Sequence, residues 1–118
     1  MAIAAVNLSY TGNGPTATGQ VIASTETGGI AQDFEGFGTA TLDGTISNAG
    51  FLVNFIDGTA TLSFTPSAVL VQVCGGTQPV ASFVSAVADL ITNTGFTCRL
   101  SAAGTNGNTL KLAVRVIK

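Results

Sequence analysis

The chain has 118 residues, of which 46% are apolar and 8% are charged, and its formal net charge is −2. The length suits a single domain that spans residues 1–118, and the apolar content with so little charge argues against intrinsic disorder. The four basic residues are too few for a nucleic-acid-binding domain, so we expect no nucleic acid as a partner.

The start of the chain, MAIAAVNLSYTG, lacks the basic residues and the long apolar core of a secretory signal. The sequence has no uninterrupted run of about 18 apolar residues, so we expect no membrane span and synthesis in the cytoplasm.

Residues 3–10 form a candidate first strand, after which glycines and a proline interrupt the strand pattern. We therefore expect residues 1–15 to form an N-terminal arm or an edge strand.

A repeated pentapeptide marks the middle of the chain. Gly-Thr-Ala-Thr-Leu occurs at residues 38–42 and again at residues 58–62, and each copy is a candidate strand. Two copies are too few for a solenoid, so we interpret them as similar strands of one antiparallel sheet. Between the copies, Phe51, Val53 and Phe55 fall on alternate positions, which predicts a strand with one buried face. An Asp-Gly pair then indicates a hairpin into the second copy.

The next two segments differ in their periodicity. Residues 68–74, AVLVQVC, form the most continuous apolar run and predict a central strand with both faces covered. In residues 79–93, apolar side chains recur at intervals of three and four, which is typical of an amphipathic helix, and a proline lies in the first turn. We therefore predict one short helix over about residues 79–93, with a strand over residues 86–91 as the alternative.

The end of the chain has the clearest strand pattern. Apolar residues alternate with other residues in two runs, at Phe96, Cys98 and Leu100 and then at Leu110, Leu112, Val114 and Val116. Small residues that reverse the chain at little steric cost lie between the runs, so residues 95–117 predict a long β-hairpin. Short strands and many turn residues throughout make the predicted fold class mainly β. We expect an antiparallel β-sandwich or jelly-roll-like domain, with the one short helix.

The cysteines give little evidence for a metal site. Cys74 and Cys98 are the two cysteines, and the chain has no histidine, whereas a zinc site needs about four nitrogen or sulfur ligands. A disulfide can form if the two residues face each other, but cytoplasmic synthesis favours free thiols. We expect Cys98, which shares the face of Phe96 and Leu100, to be a small buried apolar residue.

The carboxylates do not form a recognisable catalytic group. Asp33 and Glu35 are two residues apart and can share one face of a strand, but a general acid needs a partner and a cleft that raise its pKa, and the sequence indicates neither. Asp33, Glu35 and Asp43 are candidate calcium ligands without a regular ligand loop, so we expect solvated acids. The glycine-rich segments lack the spacing of a nucleotide fingerprint. We expect no cofactor and no enzymatic activity.

The basic residues are confined to one end of the chain. All four lie in the last twenty residues, whereas all six acidic residues precede them. Arg99, Lys111 and Arg115 share the outward face of the predicted hairpin and therefore predict a small basic patch. We expect this patch to contact an acidic protein neighbour. Because so few charges leave a neutral surface that suits burial, we also expect a homo-oligomer.

The Thr-, Gly-, Ala- and Asn-rich, charge-poor composition resembles that of small all-β virion proteins of tailed bacteriophages, such as head decoration (cement) proteins and fibre-tip modules. The ending TGFTCRL…GNTLKLAVRVI is similar to the last two strands of fibre-knob and H-type-lectin-like sandwiches, and this resemblance covers about a third of the chain. It implies trimers that bind a capsid lattice or a surface glycan. The absence of Trp and the single Tyr10 weaken the glycan interpretation, because aromatic faces usually hold sugars.

The resemblance leads to two functional expectations. The first is a non-enzymatic virion protein, made in the host cytoplasm, that decorates the capsid as a trimer, binds the major capsid protein or another virion protein and stabilises the head lattice. The alternative is a phage fibre-tip or lectin-like glycan-binding module.

Overall fold

The computed structural model describes residues 3–9, 34–56, 62, 64–79 and 84–117. The strands in these residues are β1 (Val6–Asn7), β2 (Phe34–Thr41), β3 (Phe51–Asn54), β4 (Ala68–Gly75), β5 (Ala86–Asp89), β6 (Gly95–Leu100) and β7 (Thr109–Ile117). They form a four-stranded sheet in the order β1-β3-β6-β5 and a three-stranded sheet in the order β2-β7-β4. Neighbouring strands are antiparallel, except that β1 is parallel to β3.

The two sheets pack together around one apolar core, which confirms the predicted fold class of a mainly β, antiparallel sandwich. The described residues include no helix, and so none that is long and apolar enough to cross a membrane. The strand order establishes the sandwich, whereas a jelly-roll arrangement stays a prediction.

Alternate residues of the strands supply the core, because successive side chains of a strand point to opposite faces of its sheet. Burial of one such apolar side chain contributes about 1.5–3 kcal/mol. The rings of Phe55 and Phe96 lie 5.9 Å apart between their centroids. The predicted buried face of β3 is confirmed, and so are the apolar faces of the two C-terminal strands. The largest of the almost fully buried side chains are Val53, Phe55, Phe96, Cys98, Leu42, Leu110, Leu112, Val114 and Val116.

β6 and β7 belong to different sheets, so the hairpin predicted over residues 95–117 is wrong. β6 lies between β3 and β5, and β7 lies between β2 and β4. Residues 101–108 carry the chain from one sheet to the other. Each strand shows the same alternation in a hairpin and in a sandwich crossing, because its apolar face meets the core in both. A connection of this length can also span the roughly 10 Å between packed sheets.

The helix predicted over about residues 79–93 is wrong in the part that the structure describes, and its residues 80–83 lie outside that part. The chain there forms β5, which pairs with β6. Partly buried alanines of β5 alternate with exposed Val87 and Asp89. Intervals of three and four arise because apolar residues occupy both faces of this strand, and pairing with β6 favours the extended form. The alternative of a strand over residues 86–91 is therefore confirmed for β5.

β4 is an edge strand, so the central strand predicted over residues 68–74 is wrong. Among the described strands it pairs with β7 alone. Its outward residues Leu70 and Gln72 are exposed, whereas Val69 is buried. The continuous apolar run therefore includes surface residues as well as core residues, and β7 is the central strand of this sheet.

The N-terminal residues 3–9 connect the two sheets at one side of the sandwich. β1 pairs with β3 at an edge of the four-stranded sheet. Two residues later, the backbone N–H of Ser9 donates to the carbonyl of Phe37 at 2.8 Å, and the N–H of Phe37 donates back at 2.9 Å. Ile3, Val6 and Leu8 of this segment are buried. β1 is therefore an edge strand within residues 3–9, and the rest of the expected arm, residues 1–2 and 10–15, lies outside the described residues.

The first copy of the repeated pentapeptide lies at the end of β2 and finishes at the buried Leu42. In the second copy, Leu62 is buried, and residues 58–61 lie outside the described residues together with the predicted Asp-Gly turn.

Candidate functional site

The outer surfaces of the two sheets are the candidate binding surfaces of this sandwich. We call the outer surface of the four-stranded sheet the four-strand face and that of the three-stranded sheet the three-strand face. The four-strand face is formed by Leu52, Val87, Asp89, Thr97 and Arg99, with Leu90 at its corner. The three-strand face is formed by Glu35, Phe37, Leu70, Lys111 and Arg115.

The predicted basic residues do not form one patch. Arg99 lies on the four-strand face, whereas Lys111 and Arg115 lie on the three-strand face. The inner sides of β6 and β7 meet the same core, so their outward side chains point away from each other on opposite surfaces of the sandwich. The single basic patch is therefore wrong, and a role of the three residues in partner binding stays a prediction.

Arg99 is engaged within its own chain. Its Nε donates to Asp89 Oδ2 at 2.8 Å, and its Nη1 donates to the Asn48 carbonyl at 2.6 Å. Asp89 Oδ1 also accepts a hydrogen bond from the Leu90 N–H at 2.9 Å. The guanidinium of Arg99, followed by this N–H, holds the pKa of Asp89 below its usual value. On the four-strand face, Arg99 therefore lies in an ion pair with Asp89 that backbone hydrogen bonds hold in place.

Lys111 borders a shallow groove at the junction of β1 and β2. The groove has a volume of about 340 Å³. The Lys111 ammonium lies 5.6 Å from the centroid of the Phe37 ring, a favourable cation–π arrangement. A ring face, an ammonium, hydroxyls and an amide can together hold a polar ligand with one apolar side. The groove is lined by Asn7, Ser9, Phe37, Gly38, Thr39 and Lys111.

Sequence reasoning did not identify this groove. Phe37 is not among the residues that the sequence indicates for a site, although it lies within β2 and is 39% exposed. Polar Glu35 and Thr39, two residues to either side of Phe37, share its face and are the signal that this face is exposed to solvent. The groove itself depends on Ser9, which reaches β2 from the other sheet.

Arg115 lies opposite Glu35 across the β2–β7 pair and opposite Leu70 across the β4–β7 pair. A second depression of about 210 Å³ lies beside these residues. In the part of the chain that the structure describes, no ion pair joins Arg115 or Lys111 to a carboxylate. These two cations of the three-strand face are therefore available to a partner.

The candidate calcium ligands do not come together in the described residues. Asp43 is buried, and its Oδ1 accepts hydrogen bonds from the backbone N–H of Thr45 at 2.9 Å and of Ile46 at 2.8 Å. The bond from Ile46, followed by that from Thr45, lowers the pKa of Asp43. Asp43 thus closes the turn after β2, whereas Glu35 lies on an outer face and Asp33 lies outside the described residues. No described group of three acidic, Cys or His side chains could hold a metal.

The two cysteines are free and lie in different sheets. Cys74 is exposed on the edge strand β4, whereas Cys98 is buried on β6, as predicted for a small apolar residue. Burial raises the pKa of the Cys98 thiol to about 12. The reactive thiolate of Cys98 is therefore a minor species at neutral and mildly alkaline pH.

We expect a thiol reagent such as Ellman's reagent to modify one cysteine in the native protein at pH 8 and two in denaturant. Cys74→Ser should remove the fast reaction, and Cys98→Ser should leave it unchanged. Two thiols of equal rate in the native protein would contradict the burial of Cys98.

Both outer faces expose large apolar side chains. Leu52 on the four-strand face and Leu70 on the three-strand face are each 58% exposed, and Val87 and Leu90 are at least as exposed.

Comparisons of the chain with protein-family models, with curated proteins and with solved structures found no match. The exposed apolar side chains of the two faces and the groove beside Phe37 are therefore the features that bear on function.

Proposed function

We propose that this protein is a non-enzymatic structural component of a virion, a capsid decoration or cement protein that stabilises the head lattice as a homo-oligomer, with a trimer as the expected form. The observation that carries the proposal is that both outer faces of a charge-poor sandwich expose large apolar side chains. Apolar side chains grouped on a surface favour burial against another protein.

The two faces differ in charge, which suits contacts with two different neighbours. Among the described residues, the three-strand face carries Lys111 and Arg115 against one carboxylate, Glu35, which gives it a small positive excess. An acidic surface of a capsid protein would gain attraction there and would be oriented by it. A contact of this kind is weak in one copy, but repetition across a lattice makes the total attachment strong.

The test is addition of the purified protein to expanded, empty capsids. Capsids with the protein should withstand heat and low ionic strength better than capsids without it. Equal resistance of the two preparations would contradict the decoration proposal.

The charge contribution is tested by the double variant Lys111→Gln and Arg115→Gln. It should fold normally but attach more weakly, and its attachment should depend less on salt, because fewer charges are screened. Thr41→Gln, an uncharged change at an exposed position at the end of β2 and outside the groove, serves as the control and should attach like the wild type.

A glycan-binding module is the second candidate function, and the groove beside Phe37 favours it. The exposed ring could contact the apolar side of a sugar, while Lys111 and the side chains of Asn7, Ser9 and Thr39 could bind its hydroxyl or carboxyl groups. A glycan array should then show binding that Phe37→Ala abolishes and Leu70→Ala retains. Such binding, together with capsids of unchanged resistance, would replace the decoration proposal.

A further inference from the structure

We infer that a second copy of this chain covers the four-strand face, with Leu90 as the anchor of the contact. The inference rests on the proposed function in one respect, namely that the protein acts as a homo-oligomer. It adds which surface forms the interface and which residues hold it. If the second copy contributes the same face, a two-fold dimer results. If it contributes a surface other than the three-strand face, a ring such as the expected trimer can close.

The first observation is the grouping of apolar side chains across neighbouring strands. Leu52 on β3 lies beside Thr97 on β6. Val87 on β5 lies beside Arg99, which is also on β6. Both side chains are mostly exposed. Thr97 and Arg99 lie on β6, between the strands of Leu52 and Val87, so the two apolar side chains belong to one continuous face.

The second observation is the backbone of Leu90. Its φ is +51°, the left-handed region that Gly and Asn adopt readily and that is sterically costly for Leu. Leu90 begins the turn between β5 and β6. A hydrogen bond from the Thr92 N–H to the Gly95 carbonyl, at 2.8 Å, stabilises the other end of this turn. An isolated molecule gains nothing from an exposed Leu at a strained corner. Burial of Leu90 against a partner offsets this cost.

The third observation is the charge of the face, which favours a second copy over a highly charged partner. The described charges on it, Arg99 and Asp89, neutralise each other at 2.8 Å. A highly charged partner would therefore find no attraction here, whereas a second copy would meet no like charge. The same neutral, apolar surface is available on every other copy at equal concentration. The three-strand face, with two cations that lack an ion pair among the described residues, suits a different neighbour.

The experiment compares three Leu→Asn variants by size-exclusion chromatography with light scattering over a dilution series. Wild type should be a multimer at micromolar concentration. Leu90→Asn should raise the dissociation midpoint about tenfold or more, since loss of an anchor residue usually costs this much. Because Asn tolerates the left-handed backbone, this variant should keep its fold, and its thermal midpoint as a monomer should not fall.

The matched pair is Leu52→Asn and Leu70→Asn, because both leucines lie within strands and are 58% exposed. Leu52→Asn should weaken association like Leu90→Asn, and Leu70→Asn should leave it unchanged. Equal weakening by the last variant, a Leu90→Asn multimer as stable as wild type, or a monomeric wild type would overturn the inference. Dissociation by Leu90→Asn with no effect of the wild type on capsids would retain the interface and remove the decoration function.

Discussion

Leu112→Ala is expected to lower the free energy of unfolding by about 2–5 kcal/mol, because it removes a fully buried side chain and leaves a cavity. Leu112 lies in β7, the central strand of the three-stranded sheet, opposite Gly38 of β2 and Val73 of β4. Since both neighbouring strands are already paired, the backbone can collapse only partly into the space. The measurement is urea denaturation of wild type and variant, followed by circular dichroism.

Lys111→Ala is the matched control, one residue earlier on the opposite face of the same strand. It removes a cation–π contact with Phe37, which at an exposed site is worth about 0.5–1 kcal/mol at most. Its unfolding midpoint should therefore stay close to that of the wild type. Equal destabilisation by the two substitutions would mean that the register of β7 is shifted by one residue.

Gly95→Ala is expected to cost about 1–3 kcal/mol or more, because the added methyl group has no room between β3 and β6. A Cβ at this position would overlap the Val53 carbonyl oxygen and lie 3.0 Å from the Asn54 Cα. Both obstacles are backbone atoms of a paired strand, so neither can move away as a flexible side chain would. The β3–β6 pairing, or the turn before it, must shift to admit the alanine.

Gly75→Ala provides the control for the change in residue type. Its Cβ would meet the nearest atom, Lys111 Cβ, at 3.7 Å, which is ordinary van der Waals contact. Its unfolding free energy should change by no more than about 0.5 kcal/mol, as for other open surface positions. Thermal melts of the two variants give the comparison. Similar midpoints for both would contradict the close approach of Gly95 to β3.

The candidate site was predictable from the sequence only in part. Alternation correctly placed Arg99, Lys111 and Arg115 on outward positions, because inside and outside are read from immediate neighbours along the strand. Their separation onto opposite surfaces was not predictable, since it depends on which strands each one pairs with. The engagement of Arg99 with Asp89 depends in turn on the pairing of β5 with β6.

The sequence by itself determined that the chain is mainly β, which positions of its C-terminal strands and of β3 are buried, and that Cys98 is a core residue. These properties are local, because the order of apolar and polar residues along a strand decides which of its side chains can face the core. The tertiary structure alone decided that β6 and β7 separate into two sheets, that β4 is an edge, and that residues 86–89 form a strand. Strand partners are chosen by contacts between distant segments, and a local pattern is equally satisfied by several such pairings as long as its apolar face reaches the core.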